Sequence, residues 1–101
     1  MRTETILELV ADERKRQNEK WGYPQHNTLP EWGIILEEEA GEVTKEINEL
    51  HFRRNNDLDL LLSELIQLAA VAVSMVEHLT DFPVDTKEPF NPTRIGVRRK
   101  L

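Results

Sequence analysis

Residues 58–80, which read LDLLLSELIQLAAVAVSMVEHLT, decide the fold because their apolar side chains recur at the spacing of an α-helix. We predict a helix that starts near Asp57 and runs to about Thr80. Two lines of side chains lie about 100° apart around it, and a helix that is apolar on two faces is buried on both. The main line contains Leu58, Leu62, Leu65, Ala69, Ala72, Val76 and Leu79, and the second line contains Leu60, Glu64, Gln67, Val71 and Ser74.

The N-terminal part of the chain predicts another helix, from about Glu4 to Lys20. Thr3 is placed to cap this helix and Gly22 is placed to end it. Its inward line begins apolar and turns polar, which is unusual for a purely structural stripe; the alternative is that its C-terminal half leaves the core. The line contains Leu7, Val10, Arg14, Gln17 and Trp21.

A middle helix is predicted from the residues Thr28-Leu29-Pro30-Glu31, which have the pattern of a capping box with proline in the first turn. This helix runs to about Leu50. It carries one narrow apolar seam, and an acidic stripe flanks that seam because each acidic residue directly precedes a seam residue. The seam contains Trp32, Leu36, Ala40, Val43, Ile47 and Leu50, and the stripe contains Glu39, Glu42, Glu46 and Glu49.

These patterns predict an all-α fold with one small domain over residues 1–81, based on a helical hairpin. An irregular, proline-containing basic tail follows at residues 82–101. Three helices make a thin core for an isolated chain of 101 residues. We therefore expect self-association into a core like a four-helix bundle, as a homodimer or homotetramer.

Composition narrows the classes of function. Net charge is −6, with −10 on residues 1–86 and +4 on residues 87–101. An acidic body disfavours nucleic-acid binding, although it can bind a nucleotide if cations intervene. The chain has no cysteine and no secretory signal pattern, and its longest uninterrupted apolar run, residues 68–73, is too short to cross a bilayer. We expect a cytoplasmic protein that binds neither nucleic acid nor a membrane.

The sequence EEEAGE at residues 37–42, taken together with Glu64, indicates a cation site. Carboxylates three residues apart project from the same side of a helix and can reach one hard cation such as Mg²⁺. The alternative for the glutamate run is a solvated acidic face. Glu64 lies among leucines and valines, so its charge must be neutralised, bound to a metal or paired with Arg14 or Lys20.

Other polar and aromatic residues have two interpretations each. Gln67 is either a core amide or a neutral oxygen ligand. Four aromatic residues in or beside the first loop suit a nucleobase, although Trp32 also fits core packing and His26 an exposed loop; they are Trp21, Tyr23, His26 and Trp32. Because the chain has no recognisable nucleophile motif and no Gly-rich phosphate loop, the available mechanism is metal-assisted attack by water.

Three motifs together resemble the MazG-like branch of the all-α nucleoside triphosphate pyrophosphohydrolases. They are E-R-K-R-Q-x-x-K-W-G at residues 13–22, E-E-x-G-E at residues 38–42 and E-L-I-Q-L-A-A-V-A at residues 64–72. The resemblance covers roughly residues 8–80. It implies Mg²⁺-dependent hydrolysis of an NTP or dNTP, standard or modified, to the monophosphate and pyrophosphate, as a nucleotide-pool housecleaning activity.

The resemblance also implies roles for individual residues. Glu38 would orient or deprotonate the attacking water or help to hold a further metal. Gln67 stands where the family has aspartate, which replaces a charged ligand by a neutral one. The metal ligands would be Glu39, Glu42, Glu64 and Gln67, and the substrate contacts would be Gln17, Lys20, Trp21 and His26.

Two alternatives stay open at the level of sequence. The first is a non-catalytic helical sensor or adaptor that binds a nucleotide or a metal, and the neutral Gln67 is its best support. The second is a phosphoribosyl-ATP pyrophosphatase, which has a related fold. The Q-x-x-K-W-G segment at residues 17–22 fits the MazG-like branch better.

Overall fold

A computed structural model of the chain describes residues 1–82. This part contains three α-helices and no strand: α1 (Thr3–Trp21), α2 (Leu29–His51) and α3 (Leu58–Asp81). The all-α prediction is therefore confirmed. The tail predicted from residue 82 lies, apart from Phe82, outside the described residues.

Helix α3 is the element on which the other two helices rest. α1 and α2 each pack against α3, and within residues 1–82 they do not pack against each other. The buried apolar side chains among residues 1–82 are few, and all but one of them are small; they are Val10, Trp32, Val43, Ala70 and Val71. A core this small agrees with the expectation that three helices alone bury little apolar surface.

The ends of α1 and α2 show which of the predicted capping and stop signals the fold uses. The capping box is confirmed, because Thr28 Oγ1 accepts a hydrogen bond from the Glu31 amide at 3.2 Å and Glu31 Oε1 accepts one from the Thr28 amide at 2.8 Å. Gly22 ends α1 with a φ of 87°, as predicted. The predicted cap at Thr3 is wrong, because α1 begins at Thr3 itself and Arg2 occupies the N-cap position without a side-chain bond.

A polar network joins α1 to α3. Arg14 is buried, and its Nε and Nη2 donate to Glu77 Oε1 at 3.0 and 2.6 Å. Its Nη1 donates to Gln17 Oε1 at 3.2 Å, and its Nη2 also donates to Asn18 Oδ1 at 2.7 Å. Arg14 and Gln17, the polar residues of the inward line predicted for α1, are therefore buried. The suggested pairing of Arg14 with Glu64 is wrong, because Glu77 takes that place.

The interior uses a different face of α3 from the one the main apolar line suggested. The second line supplies the buried side chains Val71 and Ser74, whereas Leu62 and Leu65 of the main line are 46% and 41% exposed. Only two helices cover α3 in the single chain, so one of its two apolar faces stays uncovered. The main-line residues that are exposed are Leu58, Leu62, Leu65, Ala72 and Val76.

Helix α2 is likewise rotated relative to its predicted seam. Trp32 and Val43 are buried as predicted, but Ile47 is 47% exposed and Glu46, a member of the acidic stripe, is buried. The interior therefore lies between the apolar seam and the acidic stripe. This rotation brings carboxylates against α3.

By length and composition alone, α3 is long and apolar enough to cross a membrane, although polar residues interrupt its apolar runs. The core helix of a soluble protein passes the same test. Its inward face carries Glu77 and His78, which bond to residues outside α3. The cytoplasmic location stays a prediction.

We expect Arg14→Met to destabilise the fold by roughly 1–3 kcal/mol, because the change leaves the Glu77 carboxylate and the Gln17 amide without their buried partner. Thermal unfolding followed by circular dichroism measures the effect. Lys15→Met, at an exposed position next in the chain, is the matched control and should change stability little. Equal melting temperatures for the two variants would contradict a structural role for the network.

Candidate metal and nucleotide site

A cleft of about 400 Å³ opens between α1 and α2 over the middle of α3. Its volume lies in the range of small-molecule sites. Buried Val71 and Ser74 of α3 form its floor. The other residues that line it are Gln17 and Trp21 of α1, Gln25 of the first loop, and Trp32, Ile35, Glu38, Glu39 and Glu42 of α2.

The structure brings some of the predicted site residues to this cleft and leaves others outside it. Gln17, Trp21, Glu38, Glu39 and Glu42 line the cleft, whereas Lys20, His26, Glu64 and Gln67 do not. His26 is exposed and borders a separate cavity of about 210 Å³, which shares Gln25 and Trp32 with the cleft. Lys20 is exposed, with its ammonium 5.0 Å from the centre of the Trp21 ring.

Glu39 is the carboxylate with the least favourable surroundings in the cleft. Its Oε2 is buried and has no hydrogen-bond partner among residues 1–82. Burial raises the pKa of Glu39, and the negative charges of Glu64, Glu42, Glu13 and Glu38 raise it further. A carboxylate in this position gains from a cation, which would neutralise it and coordinate the orphaned oxygen.

Glu64 adds a carboxylate from α3 to those of α2. Burial raises its pKa, and so do the charges of Glu42 and Glu46, while Lys45 acts in the opposite direction. Within the described chain Glu64 forms no salt bridge, so the suggested pairing with Lys20 is also wrong. Carboxylates of all three helices therefore interact electrostatically in one region, since Glu13 of α1 acts on both Glu39 and Glu64.

Gln67 makes one hydrogen bond within α3 and one with α1. Its Nε2 donates to Ser63 Oγ at 3.3 Å, and its backbone carbonyl accepts from Gln17 Nε2 at 3.4 Å. No group of three His, Cys, Asp or Glu side chains in residues 1–82 is arranged as a ready-made metal site. The donor set nevertheless fits a hard divalent cation, because like-charged carboxylates turn away from one another unless a cation draws them together.

Sequence reasoning missed Glu13 as part of this acidic region. Arg16 holds Glu13 with two hydrogen bonds, from Nε to Oε1 at 2.8 Å and from Nη2 to Oε2 at 2.6 Å. The bond from Arg16 lowers the pKa of Glu13 despite the opposing effect of burial, so this carboxylate stays charged. Glu13 is the first residue of the motif at residues 13–17, but the sequence alone does not show that it lies near the carboxylates of α2 and α3.

His78 is a second missed residue, and it fixes the wall of the cleft. Its Nε2 accepts a hydrogen bond from the backbone N–H of Gln25 at 3.0 Å, so the ring proton lies on Nδ1. Nδ1 is 2.7 Å from the backbone carbonyl oxygen of Ser74. The imidazole also packs 5.0 Å from the Trp32 ring and 4.7 Å from the Tyr23 ring, measured between centroids. These contacts hold the first loop and Trp32 in place beside the cleft.

The raised pKa of Glu39 predicts a pH-dependent gain in stability for Glu39→Gln. Between the ordinary glutamate pKa of about 4.3 and the raised value, the folded protein binds more protons than the unfolded chain, so stability falls as pH rises through this window. We expect the metal-free variant to melt roughly 2–5 °C above the wild type at pH 7.5 and at the same temperature at pH 4.

Differential scanning calorimetry in EDTA at both pH values measures this difference. Glu37→Gln removes an exposed carboxylate from the same helix and is the control. A lower melting temperature for Glu39→Gln than for this control at pH 7.5 would show that Glu39 is not an electrostatic burden on the metal-free fold.

Comparison of the chain with protein-family models, with curated proteins and with solved structures gives no match. The resemblance to the MazG-like pyrophosphohydrolases therefore rests on the three motifs alone.

Proposed function

We propose that this protein is a Mg²⁺-dependent nucleoside triphosphate pyrophosphohydrolase. The observation that carries the proposal is the acidic region at the cleft, where carboxylates of α1, α2 and α3 interact and where a buried oxygen of Glu39 has no hydrogen-bond partner among residues 1–82. A bound triphosphate brings more negative charge, so only cations between protein and substrate make such a site workable.

The cation ligands in this proposal are Glu39, Glu42, Glu64 and the amide oxygen of Gln67. Mg²⁺ bound by them would supply positive charge to stabilise the phosphate oxygens. Glu39 and Glu42 lie in the wall of the cleft, so a cation held by them would meet the phosphates of a nucleotide bound there. Glu64 and Gln67 would approach from α3 at the edge of the cleft.

Glu38 is the residue proposed to act on water. It is exposed and lines the cleft, so a water molecule can reach its carboxylate. Glu38 would accept a proton from this water as the water oxygen attacks phosphorus. The bond that breaks is the anhydride between the α- and β-phosphates, which releases the nucleoside monophosphate and pyrophosphate.

The aromatic and amide side chains of the cleft suit a nucleobase. Trp21 and Trp32 supply flat apolar surface, and Gln17 and Gln25 supply amide groups that both donate and accept hydrogen bonds. Trp32 is buried and held by His78, so it forms a rigid wall, whereas Trp21 is 49% exposed. Lys20 and His26 do not line the cleft, and they remain proposed substrate contacts.

Self-association belongs to the same proposal. The main apolar line of α3 stays exposed in the single chain, with Leu58 54% and Val76 59% exposed. Pairing this face with the same face of a second chain would bury it and form a core like a four-helix bundle from two α2–α3 hairpins, in a homodimer or a homotetramer. The apolar face on α3 supports this assembly.

Glu42→Gln should lower turnover at least 100-fold, because it removes a proposed cation ligand while leaving the fold intact. Pyrophosphate release from a panel of standard and modified NTPs and dNTPs, with Mg²⁺ and with EDTA, measures this loss. Glu37→Gln should keep wild-type activity. Full activity of both Glu42→Gln and Glu39→Gln would show that the reaction takes place elsewhere.

Leu65→Glu should convert the assembly to monomers, because it places a charge in the proposed contact between α3 helices. Sedimentation velocity measures the change. Leu7→Glu, at an apolar residue of α1 that is 60% exposed, is the control and should leave the assembly unchanged. A monomeric wild type at micromolar concentration would contradict the proposed assembly.

A sensor that binds nucleotide without hydrolysis is the second candidate, and the neutral Gln67 favours it. The same panel separates the two functions. The sensor would bind Mg²⁺ and nucleotide and release no pyrophosphate.

A further inference from the structure

His78 is a buried histidine to which the proposed function assigns no step. Its side chain belongs to a residue that is 3% exposed. Because Nδ1 faces the Ser74 carbonyl oxygen at 2.7 Å, the single proton of the neutral ring lies on Nδ1. Nε2 is left as the acceptor of the Gln25 backbone N–H at 3.0 Å. A second proton would therefore bind to Nε2, the atom that holds the first loop.

The first loop, residues 22–28, depends on this acceptor for its attachment to α3. Among the hydrogen bonds of residues 1–82, two join the loop to α3. One is the bond from Gln25 to His78, which is partly buried, and the other runs from the Tyr23 hydroxyl to Asp81 Oδ2 at 3.0 Å and is exposed. The bond to His78 is thus the more sheltered of the two attachments.

A change at His78 reaches the cleft through two of its neighbours. Gln25 and Trp32 line the cleft of about 400 Å³, and both also line the cavity of about 210 Å³ that His78 borders. The Trp32 ring packs against the imidazole at 5.0 Å between centroids. The first loop and the start of α2 therefore share His78 as their support on α3.

We propose that His78 is a pH-dependent positioning residue, whose neutral imidazole holds the first loop and Trp32 against α3 and whose protonation releases them. Protonated Nε2 is a donor and would face the N–H donor of Gln25, so the bond between them is lost. The held state binds fewer protons than the released state. The loop therefore stays attached at neutral pH and is released as the pH falls through the range in which histidine titrates. The inference rests on the proposed function only for its effect on nucleotide binding.

Charged groups near the ring act on it in both directions. The charged and titratable groups around it are Glu77 and Asp81 of α3, Tyr23 and His26 of the first loop, and Arg14 of α1, which bonds to Glu77. α2 contacts the ring through the uncharged Trp32. The carboxylates favour an imidazolium, whereas burial and the positive charge of Arg14 oppose it. Whatever their balance, a proton on Nε2 excludes the bond from Gln25, because the nitrogen has one lone pair.

Tryptophan fluorescence tests the release, in a Trp21→Phe background that leaves Trp32 as the only tryptophan. We expect the emission to move to longer wavelength between about pH 7.5 and about pH 5.5, because Trp32 loses its buried contact. His78→Gln, whose amide oxygen accepts from Gln25 and does not titrate, should hold the emission constant. His78→Phe packs but cannot accept, so it should give the low-pH emission at both pH values, and it serves as a second variant should the glutamine variant fail to fold.

The other two histidines of the chain provide the controls. His26→Gln and His51→Gln should both keep the pH response. The carboxylates of the cleft are present in every variant, so a response that comes from them persists in His78→Gln. Circular dichroism at both pH values checks that each variant is folded. A persistent response in both His78 variants, its loss in His26→Gln, or no response in the Trp21→Phe protein would each overturn the proposal.

Steady-state pyrophosphate release, with the nucleotide that the wild type hydrolyses best, separates this inference from the proposed function. We expect the KM of the wild type to rise about fivefold or more from pH 7.5 to pH 5.5, the effect of losing about one hydrogen bond, and the KM of His78→Gln to change less than about twofold. The pH dependence of kcat should be the same in both proteins. Equal KM profiles would overturn the positioning role and leave the enzyme standing. A pH response of Trp32 that requires His78, in a protein that hydrolyses no nucleotide, would support the release and count against the proposed function.

Discussion

The hydrogen-bonded ion pair between Arg14 and Glu77 is the interaction on which the geometry of the site depends. α1 does not pack against α2 in the described chain, so its contacts with α3 set its position. Those contacts include a polar network, in which Arg14 links Glu77 to Gln17, which bonds in turn to the backbone of Gln67. Because the cleft is the space between α1 and α2, this network sets the distance between the two tryptophan-bearing sides. A polar attachment of this kind is directional, since each hydrogen bond has a required geometry.

The acidic region places a burden on the metal-free fold. Glu39 and Glu64 have raised pKa values because burial and neighbouring carboxylates both oppose their charge. Glu46 adds a buried oxygen with no hydrogen-bond partner in the described part of the chain. Native folds that keep such groups do so most often at functional sites, where a ligand offsets the cost. In the proposed function that ligand is Mg²⁺, so stability and catalysis would be linked through the same carboxylates. The exposed apolar line of α3 is a second unfavourable feature of the single chain, and self-association would bury it.

His78 of α3 contacts both the first loop and helix α2. It holds the first loop through the Gln25 amide and packs on Trp32, while its Nδ1 faces the Ser74 carbonyl in its own helix. Each of its ring nitrogens therefore has a defined partner, which fixes the tautomer and the ring plane. In the proposed function, the aromatic side chains so held would meet a flat base, and the carboxylates of the same cleft would meet the cations of a phosphate chain.

The sequence by itself determined the features that depend on neighbours along the chain. The helices, the capping box at Thr28 and the stop at Gly22 follow from local bonding and backbone preference, and the shared side of Glu39 and Glu42 follows from helical spacing. Only the tertiary structure decided which apolar face of α3 is covered, that Glu77 rather than Glu64 pairs with Arg14, and that Glu46 is buried. The physical reason is that these outcomes depend on how far each helix is rotated about its own axis against its neighbours. A rotation of that kind costs no local hydrogen bond, so it leaves no signal in the order of the residues and is set by packing between segments far apart in the chain.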